Sequence, residues 1–156
     1  MDTALQALID ELEGAPGFVV EALSLVPEEA WDVRASDAEF SLREQVCHLR
    51  DIELEGYFVR IHRIAAERAP LLADLDGSRL ARERDYASQD ARLAAADFRA
   101  LRAASVAKLR TLPLSAWERT GSFEPGASFT LRELVDMMLA HDREHCGEIG
   151  ALCART

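Results

Sequence analysis

His141 and His145 stand four residues apart in the run Phe129 to Leu152, FTLRELVDMMLAHDREHCGEIGAL. On a helix that spacing sets two imidazoles one turn apart on one face, within reach of a single metal ion. At about 100° per residue His145 falls about 40° from His141, and Leu131, Leu134, Met138, Ile149 and Leu152 fall between about 20° and 80°. Both histidines thus lie in an apolar stripe, where an unpartnered ring nitrogen costs roughly a few kcal/mol. A third imidazole is available on an earlier helix. His48 lies seven residues past the helix-capping Ser41, and His141 and His145 lie eleven and fifteen past the equivalent Thr130. The axial offset is about one to two turns at about 1.5 Å per residue, within the stagger that packed helices allow. Three neutral imidazoles leave a coordination position open, the arrangement of a catalytic rather than a structural zinc or nickel site.

Other groups compete for a place in such a site. His62 falls on roughly the face of His48 but about 21 Å further along the axis, so the two cannot serve one ion, and His62 reads as a surface or boundary residue. Cys47 and Cys146 adjoin His48 and His145, but neighbouring helical side chains diverge by about 100°, so they read as buried thiols. Asp51 and Glu55, one and two turns beyond His48 on its own face, could orient a ligand, act as a base, or simply solvate the helix. His141-x-x-Glu144-His145 also matches the pattern of inverted zinc proteases. Those enzymes need a further carboxylate well downstream, and only residues 146–156 follow, so a peptidase is set aside.

The elements that must position these residues are helical. Leu5, Leu8, Ile9 and Leu12 repeat at helical spacing, and Phe18, Val19, Ala22 and Leu23 resume it beyond Gly14-Ala15-Pro16-Gly17, which predicts a first helix kinked or broken at Pro16. Ser41-Leu42-Arg43-Glu44 forms a capping box that opens a second helix, running to about Arg68 before Pro70. Residues 70–87 read as an ordered excursion with a short helix around Ser78 to Arg84. A third helix follows from Ser88 to Pro113, and Thr130-Leu131-Arg132-Glu133 opens a fourth with a second capping box. Pro27-x-x-Ala30-Trp31 before the second helix is echoed by Pro113-x-x-Ala116-Trp117 before the fourth, so the two begin alike. No run alternates with period two, so strands have almost no place. The expected architecture is all-α, a four-helix bundle with long connections, formed as one domain over residues 1–156.

A net charge of -10 disfavours nucleic acid and anionic membrane surfaces as partners. No apolar run is long enough to span a bilayer, the amino terminus is acidic, and Cys47, Cys146 and Cys153 have no disulfide-framework spacing. A soluble, cytoplasmic protein with free thiols is expected. An exposed apolar face on the first or third helix would allow a homodimer.

Three segments carry a resemblance to the DinB/YfiT-like family: S-L-R-E-x-V-x-H-L-x-D from Ser41 to Asp51, F-x-x-L-R from Phe98 to Arg102, and T-L-R-E-L-V-x-x-x-x-x-H-D-x-x-H from Thr130 to His145. The resemblance covers essentially the whole chain. It implies a four-helix bundle holding one divalent metal through His48, His141 and His145, and it implies that some relatives are thiol-dependent S-transferases or isomerases. A low-molecular-weight thiol would then take the open position, lose its proton to the influence of the ion, and attack a small-molecule electrophile. Two alternatives stay open: a metal-dependent hydrolase, in which water keeps that position, and a non-catalytic bundle whose histidine cluster is structural or sensory.

Overall fold

A computed structural model describes residues 3–155. Four long helical rods make a bundle: α1 (Thr3–Leu25), a second rod comprising α2 (Leu42–Asp51) and α3 (Phe58–Ala66), α5 (Ala91–Thr111) and α6 (Leu131–Cys153), with a short α4 (Gly77–Glu83) in the excursion between α3 and α5. α1 packs on α5 and α6, and the α2–α3 rod packs on the same two helices from the other side. The core of this arrangement is one continuous apolar cluster drawn from all four rods, including Leu12, Val46, Ile61, Phe98, Leu109 and Met138. Among the described residues no helix is long and apolar enough to cross a membrane.

Both expected capping boxes form, at Ser41/Glu44 and Thr130/Glu133. The echo before them is also structural. A 3₁₀ turn precedes each helix, Trp31 and Trp117 are both buried, and an amide in the first turn of each helix is tied back, Arg43 N–H to the Trp31 carbonyl and Leu131 N–H to the Arg119 carbonyl.

Helix α1 runs through Pro16 without a break, so of the two expected outcomes, a kink or a break, the break does not occur. A proline inside a helix deprives the carbonyl four residues earlier of its donor. Here that carbonyl belongs to Leu12, and Arg102 from α5 donates to it at 2.8 Å. The substitute donor comes from another helix, which is why no local reading could anticipate it.

The second rod departs from expectation more consequentially. Residues Ile52–Tyr57 between α2 and α3 are π-helical, with the Phe58 amide donating to the Glu53 carbonyl five residues back. A wide turn of this kind takes in one extra residue, so everything beyond it lags by about 100° on the helical wheel. In an uninterrupted helix Arg60 would lie about 120° from His48 and His62 only about 40° from it. After the lag Arg60 comes to within about 20° and His62 to about 140°. His62 accordingly sits away from the other histidines, its Nδ1 against the Phe58 carbonyl at 2.8 Å and its ring on Phe58.

Within this all-α bundle one short hairpin forms, where the sequence left strands almost no place. β1 (Thr120–Glu124) and β2 (Ala127–Thr130) make an antiparallel hairpin with Gly121 opposite Phe129 and an irregularity between Ser122 and Glu124. Gly126 turns it at φ +90°, a conformation that glycine adopts without penalty. The hairpin escapes an alternation test because it is short and irregular; cross-strand contact, such as the Phe123 and Phe129 rings 4.7 Å apart, holds it instead. The excursion is anchored to it, Leu72 N–H donating to the Ser122 carbonyl and Ser122 N–H to the Pro70 carbonyl.

Candidate metal centre

His48 comes from the buried face of α2, and His141 and His145 from one face of α6. The bundle packs these faces together. One ligand atom from each of the three histidines lies within 4.8 Å of the other two. The Nε2 atoms of His48 and His141 are 3.1 Å apart. Two nitrogens on a tetrahedral zinc are separated by about 3.3 Å, given Zn–N bonds of about 2.0–2.1 Å. The imidazoles therefore stand close enough to share one ion.

Their protonation suits that role. Burial pushes His48 down to about 3, with His145 nearby adding to the effect. Burial takes His141 to about 2, reinforced by His145 and His48. His145 is also lowered, again chiefly by burial. All three are neutral at pH 7, the form that ligates a metal.

His145 has an orienting partner. Its Nδ1 is 2.7 Å from Gln45 Oε1 and 3.3 Å from Glu148 Oε2, and the Gln45 amide donates in turn to Glu148. With Gln45 Oε1 as acceptor, Nδ1 carries the proton and the Nε2 lone pair is free. His48 is held differently. Its Nδ1 is buried without a partner, and an added Cβ on Gly77 would lie 2.4 Å from its Cε1. A side chain at residue 77 would displace this ring, so glycine there is a condition of the geometry. An ion on Nε2 does not supply the acceptor that the Nδ1 proton lacks.

The carboxylates expected near the centre are committed elsewhere. Asp51 accepts from Arg50 Nε and Arg84 Nη1 at 2.7 Å each and from the Tyr86 hydroxyl at 2.8 Å, and Glu55 pairs with Arg84. These bonds pin the excursion to the α2–α3 rod. Neither carboxylate lines the cavity on which the histidines open. The thiols are equally remote from such a role: Cys47 is buried near the Tyr86 carbonyl, burial pushes Cys47 and Cys146 each up to about 11, and neither lines that cavity. Among the described residues no disulfide forms between Cys47, Cys146 and Cys153.

The cavity has a volume of about 590 Å³. Phe40, Ile52, Leu134 and Met137 give it apolar walls, the 74–78 segment of the excursion forms one side, and Tyr57, Arg60 and Phe123 line it as well. The sequence reading missed Gln45, Gly77 and Arg60. Gln45 stood one turn before His48 and Glu148 one turn after His145, so helical spacing already offered those partners; Arg60 carried no such signal, because the π turn brings it round.

No curated protein sequence matches this chain. Among solved structures, one from Bacillus subtilis described as "YfiT from Bacillus subtilis is a probable metal-dependent hydrolase with an unusual four-helix bundle topology" superposes with a TM-score of 0.90. The match covers 99% of this chain and 89% of that one at 21% sequence identity, a likeness of fold. The family profile described as DinB superfamily matches residues 11–149, and the chain belongs to the DinB superfamily.

Proposed function

We propose that this protein is a metal-dependent enzyme that holds one divalent ion, zinc or nickel, on His48, His141 and His145 and joins a low-molecular-weight thiol to a small organic electrophile. The observation that carries the reading is the approach of three neutral imidazoles to within 4.8 Å of one another at the edge of a substantial cavity. A divalent ion there would lower the pKa of a thiol or water at its open position. Gln45 fixes the ring of His145, and Gly77 leaves room for that of His48. Phe40, Ile52, Leu134 and Met137 give the cavity apolar walls that suit an organic substrate. Asp74 and Asp76 are the carboxylates on the cavity wall, both exposed on the excursion, and Asp76 already accepts from the Arg79 amide. A nucleophile that needs no separate protein base therefore fits best, and a thiol is such a nucleophile once its pKa is lowered.

Hydrolysis is the second reading, favoured by the description of the Bacillus subtilis structure. Assaying metal-loaded protein with monochlorobimane and a panel of thiols separates the two. Thiol-dependent conjugation that disappears in His48→Ala, with the fold retained and metal lost by native mass spectrometry, is the expected result. Metal-dependent ester or amide cleavage without any thiol would replace transfer by hydrolysis. Full metal occupancy with no turnover in either assay would leave a structural or sensory centre.

A further inference from the structure

Arg60 shares the cavity with the three histidines and forms no ion pair among the described residues. Only 7% of its surface is exposed. Nη2 donates to the Ala73 carbonyl at 2.8 Å, while Nε is buried with no acceptor, and Nη1 forms no hydrogen bond among the described residues. Asp74 is the one carboxylate whose charge acts on it, from an exposed loop position and without an ion pair. Two aromatic rings hold the guanidinium: its central carbon lies 4.7 Å from the Phe123 centroid and 5.6 Å from that of Tyr57.

A desolvated guanidinium without an anion is costly, and folds ordinarily supply a carboxylate to meet it. This fold does so for Arg102 and leaves Arg60 without one. The free N–H groups form part of a rigid planar fork, whose natural complement is a planar oxyanion. A tetrahedral dianion held at Arg60 itself would call for a second cationic side chain beside it, and the other charged side chains on the wall are Asp74 and Asp76; only the metal centre could supply further positive charge.

We infer that the cavity takes an organic substrate bearing a carboxylate, which Arg60 binds at the Nη1 end of its guanidinium while the reacting end of the molecule faces the three histidines. The second half of this statement rests on the metal-centre reading; the first does not. In an acidic chain of net charge -10, such a point also selects which anions are admitted.

The test titrates benzoate and its neutral analogue benzamide, by calorimetry, into metal-stripped and zinc-loaded protein. Metal-stripped wild type should prefer benzoate by at least about tenfold, the scale of a hydrogen bond to a charged group. Arg60→Gln should abolish the preference, and Arg60→Lys, which keeps the charge but not the fork, should retain only part of it. His48→Ala should lose zinc and keep the benzoate preference. Equal binding of the two probes by wild type, or a preference that survives Arg60→Gln, overturns the assignment. So does a preference seen only with zinc and lost in His48→Ala, which would seat the carboxylate on the metal. Failure of the protein to take up zinc, with benzoate preference intact, would overturn the metal centre and leave Arg60 as assigned. If Arg60→Gln does not give the wild-type circular dichroism spectrum, Arg60→Lys decides: an undiminished preference in it overturns the proposal.

Discussion

Two arginines are buried in this bundle, and they are treated in opposite ways. Arg102, on α5, is 2% exposed and touches every rod: it donates to the Leu12 carbonyl of α1, to Glu53 in the π turn, and to Asp142 of α6. Ser105 completes the cluster by donating to the second Glu53 oxygen at 2.6 Å. Burial works against the charge of Arg102, but Glu53 and Asp142 outweigh it and hold its pKa above the ordinary value. Arg60 has one carbonyl, no paired carboxylate, and a pKa that burial draws down. The first cluster is closed, with donors and acceptors matched across four helices. The second opens on a cavity beside three imidazoles, one of which also has a buried nitrogen without a partner. A bundle can satisfy its buried charges internally, as it does for Arg102; where it leaves them unsatisfied at a cavity, the missing partner is sought in a ligand.

That contrast is sharpest where a closed cluster is opened. Arg102→Ala strands two buried carboxylates and should cost about 3–5 kcal/mol, measured by urea denaturation. A loss below about 1 kcal/mol would mean that the cluster tolerates removal of its hub, and the distinction between the arginines would fail. At the open site the larger effect should fall on binding. Gln45→Ala removes the group that orients His145 and should weaken metal affinity about 10–100-fold, read by competition with a chromophoric chelator. Unchanged affinity would show that the ring is held by α6 alone. The smallest change is expected for stability at Arg60: Arg60→Gln removes a buried charge that lacks a paired anion, so its denaturation midpoint should correspond to a stability within about 1 kcal/mol of wild type. A loss as large as that of Arg102→Ala would make Arg60 a structural residue.

Much of this was legible in the residues themselves. The capping boxes at Ser41 and Thr130 are local chemistry, written within four residues, and both form. The three histidines were legible because apolar periodicity puts His141 and His145 in one buried stripe and the two caps set the height of His48 against theirs. Asp51 and Glu55, for which the sequence left orienting, base and solvating roles open, show the limit of that reasoning. Their shared face with His48 was read correctly as proximity along one helix, but their partners, Arg84 and Tyr86, arrive from the excursion, over thirty residues away for Asp51. The hairpin was missed for a related reason, since two short irregular strands are held by each other rather than by their own pattern.

By itself, then, the amino-acid order determined where the helices start, which side of each is apolar, and that three imidazoles stand at comparable heights on two of them. These are properties of a residue and its neighbours within a turn or two, set by backbone geometry and hydrophobic periodicity. Tertiary structure alone decided that Pro16 could stay inside α1, because the donor for Leu12 comes from Arg102. It alone decided that a π turn would carry Arg60 towards the histidines and His62 away from them. Both outcomes depend on groups distant in the chain or on one extra residue in a single turn, and a rotation of about 100° is enough to change which side chains meet.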